Sequence, residues 1–224
     1  MQPTLLVLTL VGLPFAAAAV IPVLYRVLGE RTAYAAAAVA AACLAIVARL
    51  HAGGAHGVVS VEWIPSLGVS LSFYLDGLSL LIAYLATGVG TLILTYSGGY
   101  MHGEPGQGKY YATLLAFMGS MLGVALASDL VALFTFWELT SVSSFLLIGH
   151  YTGDDDSLYA ARKSMLITVA GGLFMLVGFL LLHAVSGAAL GEPTYSLVAL
   201  LEHPDAVQAA LREEGLLLPV VLLV

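Results

Sequence analysis

The chain has 224 residues, of which 60% are hydrophobic and only 9% are charged, and its formal net charge is −7. Soluble globular domains carry about 25% charged residues, so this composition excludes an ordinary soluble domain and predicts a multi-span membrane protein. The negative charge argues against a nucleic-acid partner. The histidines show no metal-ligand spacing and no phosphate-binding glycine loop is present, so we expect no cofactor and no enzyme activity.

Apolar runs predict an all-α integral membrane protein with about six full transmembrane helices and the start of a seventh. The six predicted spans, in chain order, are Leu5–Leu24, Tyr34–Leu50, Leu75–Tyr96, Tyr110–Ala127, Leu130–Ile148 and Ser164–Val185. Between the second and third spans, Val59–Phe73 has short extended character. The last apolar run, Leu216–Val224, is too short to span a bilayer, and we therefore expect the chain to be the front part of a longer protein.

The loop charges predict an orientation in the cell membrane. If the spans alternate, one side carries the larger group of basic residues, namely Arg26, Arg31, Lys109, Arg162 and Lys163. The other side carries only Arg49 and Arg212. By the positive-inside rule, the first group is cytoplasmic and the N-terminus is extracellular.

One acid stands in the middle of the fifth span. The run Leu130–Ile148 contains a single ionisable residue, Glu138, and would rise about 28 Å as a helix. A charged side chain at the centre of a spanning helix costs about 2.5–3.5 kcal/mol on insertion scales. An acid at that depth usually faces a partner or a water-filled path, so Glu138 is the first candidate for a functional site.

Two hydroxyl residues share the helix face of this acid. Thr135, Glu138 and Ser141 recur at a three-residue spacing, which places them on one side of an α-helix. The hydroxyls could hold water or bond a neutral carboxyl, and apolar surroundings disfavour the charged form of an acid. These features predict a proton relay; the alternative is an acid buried for helix packing or for an ion pair.

Three further charged residues are weaker candidates for the ion path. Asp129 follows a two-residue turn and is most simply an N-terminal helix cap. Asp76 also opens a span, where the helix dipole favours an anion. Lys163 precedes the sixth span, where it could extend to the membrane surface and set the topology.

Four segments carry a resemblance to a known family: YLDGLSLL, YYATLLAFMGSMLGVALASDL, FTFWELTSVSSFLLIGHY and ARKSMLITVAGGLFMLVGFLLL. Together they strongly resemble the A subunit of Mrp-type multisubunit sodium/proton antiporters. Those A subunits are related in turn to the antiporter-like membrane subunits of respiratory complex I and of membrane-bound hydrogenases.

The resemblance implies a fold of inverted five-helix repeats, the first starting near the fourth span. Residues 1–109 would then form an N-terminal three-helix segment, and residues 110–224 the first part of the proton-translocating repeat. It also implies that Glu138 pairs with a lysine on the next broken helix, which would lie after Val224.

The function expected from the resemblance is that of a membrane subunit in a sodium/proton antiporter. Its partners would be the lipid bilayer, the other subunits of the complex, Na⁺ and H⁺. Two alternatives stay open at this point: a proton-pumping subunit of an NADH:quinone oxidoreductase or hydrogenase complex, and a fragment that acts only as a scaffold.

Overall fold

The computed structural model describes residues 3–224, which are mostly helical. Six long helices correspond to the six predicted spans: α1 (Pro3–Leu28), α2 (Thr32–Ala52), α3 (Gly77–Tyr100), α4 (Gln107–Leu126), α5 (Leu130–Ile148) and α6 (Asp155–Leu190). Three short helices follow: α7 (Leu197–Glu202), α8 (Pro204–Glu213) and α9 (Leu217–Leu223). The prediction of an all-α membrane protein is thus confirmed, apart from one β-hairpin.

The first two helices form one apolar stretch that turns back on itself. Pro3–Ala52 is the first of five helical stretches that are long and apolar enough to cross a membrane. A single 3₁₀ turn, Gly29–Arg31, separates α1 from α2, and the two helices pack against each other. Gly29 has a φ of 56°, a left-handed conformation that glycine adopts without a steric penalty. The turn therefore makes two antiparallel spans from one continuous run.

The hairpin lies between α2 and α3, where the sequence predicts extended character. Strands β1 (Gly57–Ile64) and β2 (Val69–Leu75) are antiparallel, with Gly57 opposite Leu75. The side chain of Phe73 is fully buried, and the Ser128 N–H donates to the Ser72 carbonyl at 2.9 Å. The hairpin thus covers the short turn between α4 and α5.

Helix α6 is longer than the predicted sixth span. It begins at Asp155 rather than near Ser164, because Asp154 caps it and two further acids in the first turn favour a helix N-terminus. Lys163, which directly precedes the predicted span, therefore lies inside α6 with an exposed side chain rather than before the helix. A helix of 36 residues is about 54 Å long, so α6 extends well beyond the hydrocarbon layer.

The buried apolar side chains form two clusters. The first is built from α1 to α4 with the hairpin, and it also contains Phe136 of α5. The second is built from α6 to α9, and it also contains Leu130 of α5. Helix α5 thus contributes to both clusters and lies at the boundary between them.

Candidate functional site

The start of α5 is fixed by Asp129. Asp129 Oδ1 accepts hydrogen bonds from the backbone N–H groups of Val131 at 2.9 Å and Ala132 at 3.1 Å. Its Oδ2 accepts one from the N–H of Ser70 in β2 at 3.2 Å. The predicted N-cap is present, and it also ties α5 to the hairpin. Because both oxygens accept backbone hydrogen bonds, the hydrogen-bonding capacity of this buried side chain is satisfied.

Glu138 lies near the middle of α5 and packs directly against α6. The contact is possible because the facing residue is Gly172: a Cβ atom there would overlap Glu138 Oε1. The Phe134 ring also lies beside Gly172, 3.8 Å from the position that a Cβ would take. The carboxyl group is therefore held in a notch that exists only because α6 has no side chain at this point.

The Glu138 carboxyl has no compensating group in the part of the chain that the structure describes. Oε1 is buried and makes no hydrogen bond with residues 3–224. Within the same range, the one contact at salt-bridge distance is from His102 Nδ1 to Glu30 Oε2 at 2.7 Å, in the exposed loops. Buried polar atoms in proteins are nearly always hydrogen-bonded, so an unpaired carboxyl oxygen in an apolar notch calls for an explanation.

The two predicted hydroxyl partners bond to their own helix. Thr135 Oγ1 donates to the Val131 carbonyl at 2.8 Å, and Ser141 Oγ donates to the Trp137 carbonyl at 3.4 Å. Both residues lie on the predicted face, but among residues 3–224 neither hydroxyl is hydrogen-bonded to Glu138. Their part in proton translocation remains a prediction.

The other candidate charges lie away from the Glu138 notch. Asp76 caps α3 in a reciprocal capping box with Ser79, whose backbone N–H lowers the pKa of the Asp76 carboxyl. Lys163 is nine positions before Gly172 on α6, about 13 Å along the helix axis, and its side chain is exposed. The structure does not place Asp76 or Lys163 against Glu138.

Three other buried polar atoms also have no hydrogen-bond partner in the described residues: Ser128 Oγ, His150 Nδ1 and His183 Nδ1. The His183 ring stacks on Tyr195 with 3.7 Å between ring centroids. In the sequence these residues stand only at span ends or turns, and nothing in their local pattern indicates burial. In residues 3–224 no group of three His, Cys, Asp or Glu side chains could hold a metal ion.

Two family models match the chain. The N-terminal region of chain 5 of NADH-ubiquinone oxidoreductase (complex I) matches residues 63–111. The transmembrane region of NADH:quinone oxidoreductases and Mrp antiporters matches residues 127–223. The second match includes all of α5 and α6, and therefore both Glu138 and Gly172.

Curated relatives point to one kind of protein within this group. The A subunit of the Na(+)/H(+) antiporter of Alkalihalophilus pseudofirmus is 44% identical over 171 residues, which are 75% of this chain and 20% of that protein. The A1 subunit of the Na(+)/H(+) antiporter of Staphylococcus haemolyticus is 43% identical over 151 residues, which are 67% of this chain and 18% of that protein. The chain thus spans about one fifth of the length of these relatives.

Solved structures show the same arrangement of helices. The Mrp complex from Dietzia sp. DQ12-45-1b superimposes with a TM-score of 0.72 at 32% identity, over 84% of this chain and 20% of the matched chain. A membrane-bound sulfane sulfur reductase, an archaeal respiratory membrane complex, also has a TM-score of 0.72, over 96% of this chain and 43% of that chain. At 21% identity, the second similarity concerns the fold alone.

The family models, the identities with antiporter A subunits and the shared helical arrangement agree with one another. The chain therefore belongs to the family of antiporter-like membrane subunits that NADH:quinone oxidoreductases and Mrp antiporters share, and it resembles the N-terminal part of the A subunit of Mrp antiporters.

Proposed function

We propose that this chain acts in a multisubunit sodium/proton antiporter of the cell membrane and that Glu138 is its proton-carrying group. The observation that supports this proposal is the position of the Glu138 carboxyl. It lies in the middle of a spanning helix, packed against Gly172, with a buried oxygen that has no hydrogen-bond partner in residues 3–224.

The chemical reason lies in the two states of the carboxyl. Without a partner, the neutral acid is favoured in the notch, since an apolar medium disfavours the charged form. A cation or a water chain that reaches Glu138 would favour the carboxylate and release the proton. A carboxyl that changes protonation state with its partner can couple proton movement to cation movement.

The proposal also includes the other membrane segments and subunits with which this chain would act. A chain that spans one fifth of its relatives would act together with further membrane segments and with other subunits of the complex. We propose that residues 1–109 form a supporting three-helix segment and that residues 110–224 belong to the translocating repeat. Thr135 and Ser141 are proposed to hold water beside Glu138 when the path is hydrated.

The test is the variant Glu138→Gln in the assembled complex. Everted membrane vesicles from cells lacking other antiporters would be energised, and the sodium-dependent release of the proton gradient would be followed with a pH-sensitive dye. Because Gln has the same size but cannot carry a proton, we expect antiport to fall at least about tenfold. Glu138→Asp should keep part of the activity.

The matched control is Glu62→Gln, which removes an exposed acid from β1. It should leave antiport unchanged, and native gels should show the same assembled complex for all three variants. Wild-type antiport by an assembled Glu138→Gln complex would refute the proton-carrying role.

The same vesicles separate antiport from redox-driven pumping, the function suggested by the NADH:quinone oxidoreductase part of the family description. Antiport responds to added sodium when the gradient is already present and no electron donor is supplied. A proton-pumping redox complex would instead need an electron donor, and sodium would have no effect on the imposed gradient.

A further inference from the structure

Two cavities meet along the outside of α3 and α4. The first, of about 670 Å³, lies where the start of α3, the end of α4 and α7 come together. The second, of about 350 Å³, lies between α3 and α4 further along the helices. Ile82 and Met121 line both cavities, which are therefore adjacent and are here together called the α3–α4 groove. From Asp76 to Ile93, the groove follows α3 for about 26 Å.

The walls of the groove are apolar, and they open to the side of the molecule. Leu85, Val89 and Ile93 of α3 face Leu114 and Phe117 of α4 along the second cavity. Several wall residues are exposed, Leu85 at 57% among them, although they lie in helices that cross the membrane. The groove is thus accessible from the hydrocarbon layer, and its length and chemistry suit an extended acyl chain.

One end of the groove is polar, and its charged lining is negative. The carboxylates of Asp76 and Glu202 line it, together with Ser79 and Ser128, and no lysine or arginine of residues 3–224 does. Ser128 is 3% exposed, and its Oγ has no hydrogen-bond partner in the same residues. This end therefore offers two acceptors of charge-assisted hydrogen bonds, and one hydroxyl whose hydrogen-bonding capacity residues 3–224 leave unused.

We propose that the α3–α4 groove binds a phospholipid whose headgroup carries a primary amine, such as phosphatidylethanolamine. The ammonium donates hydrogen bonds to Asp76 and Glu202, Ser128 bonds the ester or phosphate oxygens, and one acyl chain lies between α3 and α4. A primary ammonium has three N–H donors, whereas a quaternary ammonium has none. An anionic headgroup would meet two carboxylates with no cation beside them, so charge complementarity selects the amine.

The test is a lipid titration of the delipidated full chain, followed by native mass spectrometry. The probes are phosphatidylethanolamine, phosphatidylcholine and phosphatidylglycerol with identical acyl chains. We expect phosphatidylethanolamine to bind about five- to tenfold more tightly than the other two. The double variant Asp76→Asn with Glu202→Gln should abolish this preference, since Asn still caps α3 but carries no charge.

A second variant tests the acyl-chain part of the groove independently. Ile82→Trp fills the junction of the two cavities, and it should weaken the binding of all three lipids. The control, Glu62→Gln with Glu192→Gln, removes two exposed acids that do not line the groove and should change nothing.

Three results would overturn the proposal. They are equal affinities of the unmodified chain for the three lipids, a preference that persists in the double variant, and occupation of the groove by protein. The last is measured with a photo-crosslinking residue at Met121 in intact membranes, where lipid adducts support the proposal and polypeptide adducts contradict it.

Discussion

Two acids on the same helical segment have opposite environments. Asp129 is hydrogen-bonded through both oxygens to backbone N–H groups, whereas Glu138 Oε1 has no partner in residues 3–224. In the first arrangement both carboxyl oxygens are satisfied by hydrogen bonds, whereas in the second a buried oxygen is not. This contrast, rather than burial alone, separates a structural acid from a candidate proton carrier.

The residue that shapes the Glu138 notch is a glycine on the facing helix, which leads to a matched pair of variants. Gly172→Ala places a methyl group where Glu138 Oε1 lies, so the carboxyl must move. Misplacing a reacting group by about 1 Å can cost about 100-fold, and we expect antiport to fall at least about tenfold. Gly171→Ala should be neutral, because a Cβ at Gly171 meets no atom within 4 Å.

The measurement is again sodium-dependent proton release in everted vesicles, with assembly checked on native gels. The combination of Gly172→Ala with Glu138→Asp adds a test of position, since the shorter acid leaves room for the methyl group. It should recover activity relative to Gly172→Ala alone. Equal losses in Gly171→Ala and Gly172→Ala would show that small residues on α6 serve packing only.

At the scale of helices, the N-cap of α5 predicts a stability effect without an ion-path role. Asp129→Ala leaves the Val131 and Ala132 N–H groups without their acceptor and should lower the free energy of unfolding by about 1–2 kcal/mol. Asp129→Asn keeps an acceptor oxygen and should cost less. Thermal unfolding of the purified protein in detergent measures both, and the opposite order would contradict the capping role.

Close packing between α4 and α5 gives a second prediction at this scale. A Cβ on Gly123 would overlap the Phe136 ring, so Gly123→Ala should destabilise the protein by about 1–3 kcal/mol. The control is Gly88→Ala on α3, where a Cβ meets no atom within 4 Å and the change gains helix propensity. In the same unfolding assay, the Gly88→Ala variant should be at least as stable as the unmodified protein. The prediction would be contradicted if the Gly123→Ala variant were as stable as this control.

The helices differ in how well their bounds could be predicted. The bounds of α5 agree with the sequence, because Asp129 marks its start and Gly149 follows its end. The start of α6 was missed, since hydropathy reports where the apolar part begins and the helix already includes the polar residues 155–163 before it. The meeting of Glu138 with Gly172 could not be predicted either: two glycines are adjacent in α6, and only the three-dimensional packing shows which one faces the acid.

The whole molecule has two distinct ends. At one end, the hairpin, the α4–α5 turn and the segment before α7 are joined by bridges from Phe73 to Ala127 and from Asp129 to Ser196. At the other end, Glu30 accepts a hydrogen bond from the Gly103 N–H at 3.1 Å, and His150 Nε2 lies 3.2 Å from the Pro105 carbonyl. The connecting segments thus lie at two opposite ends of the molecule, as expected if consecutive helices cross the membrane in opposite directions.

The loop charges predict which end faces the cytoplasm. The end formed by Glu30, Gly103 and His150 is also the one near Arg26, Arg31 and Lys109, so the positive-inside rule places it inside and the hairpin outside. Single cysteines in a Cys43→Ala background test this placement. Ser66→Cys in the exposed hairpin turn should react with an impermeant maleimide in intact cells, whereas Thr152→Cys should react only in everted vesicles. Because both side chains are exposed, burial cannot prevent their labelling. A reversed labelling pattern would therefore show that the orientation is opposite to the predicted one.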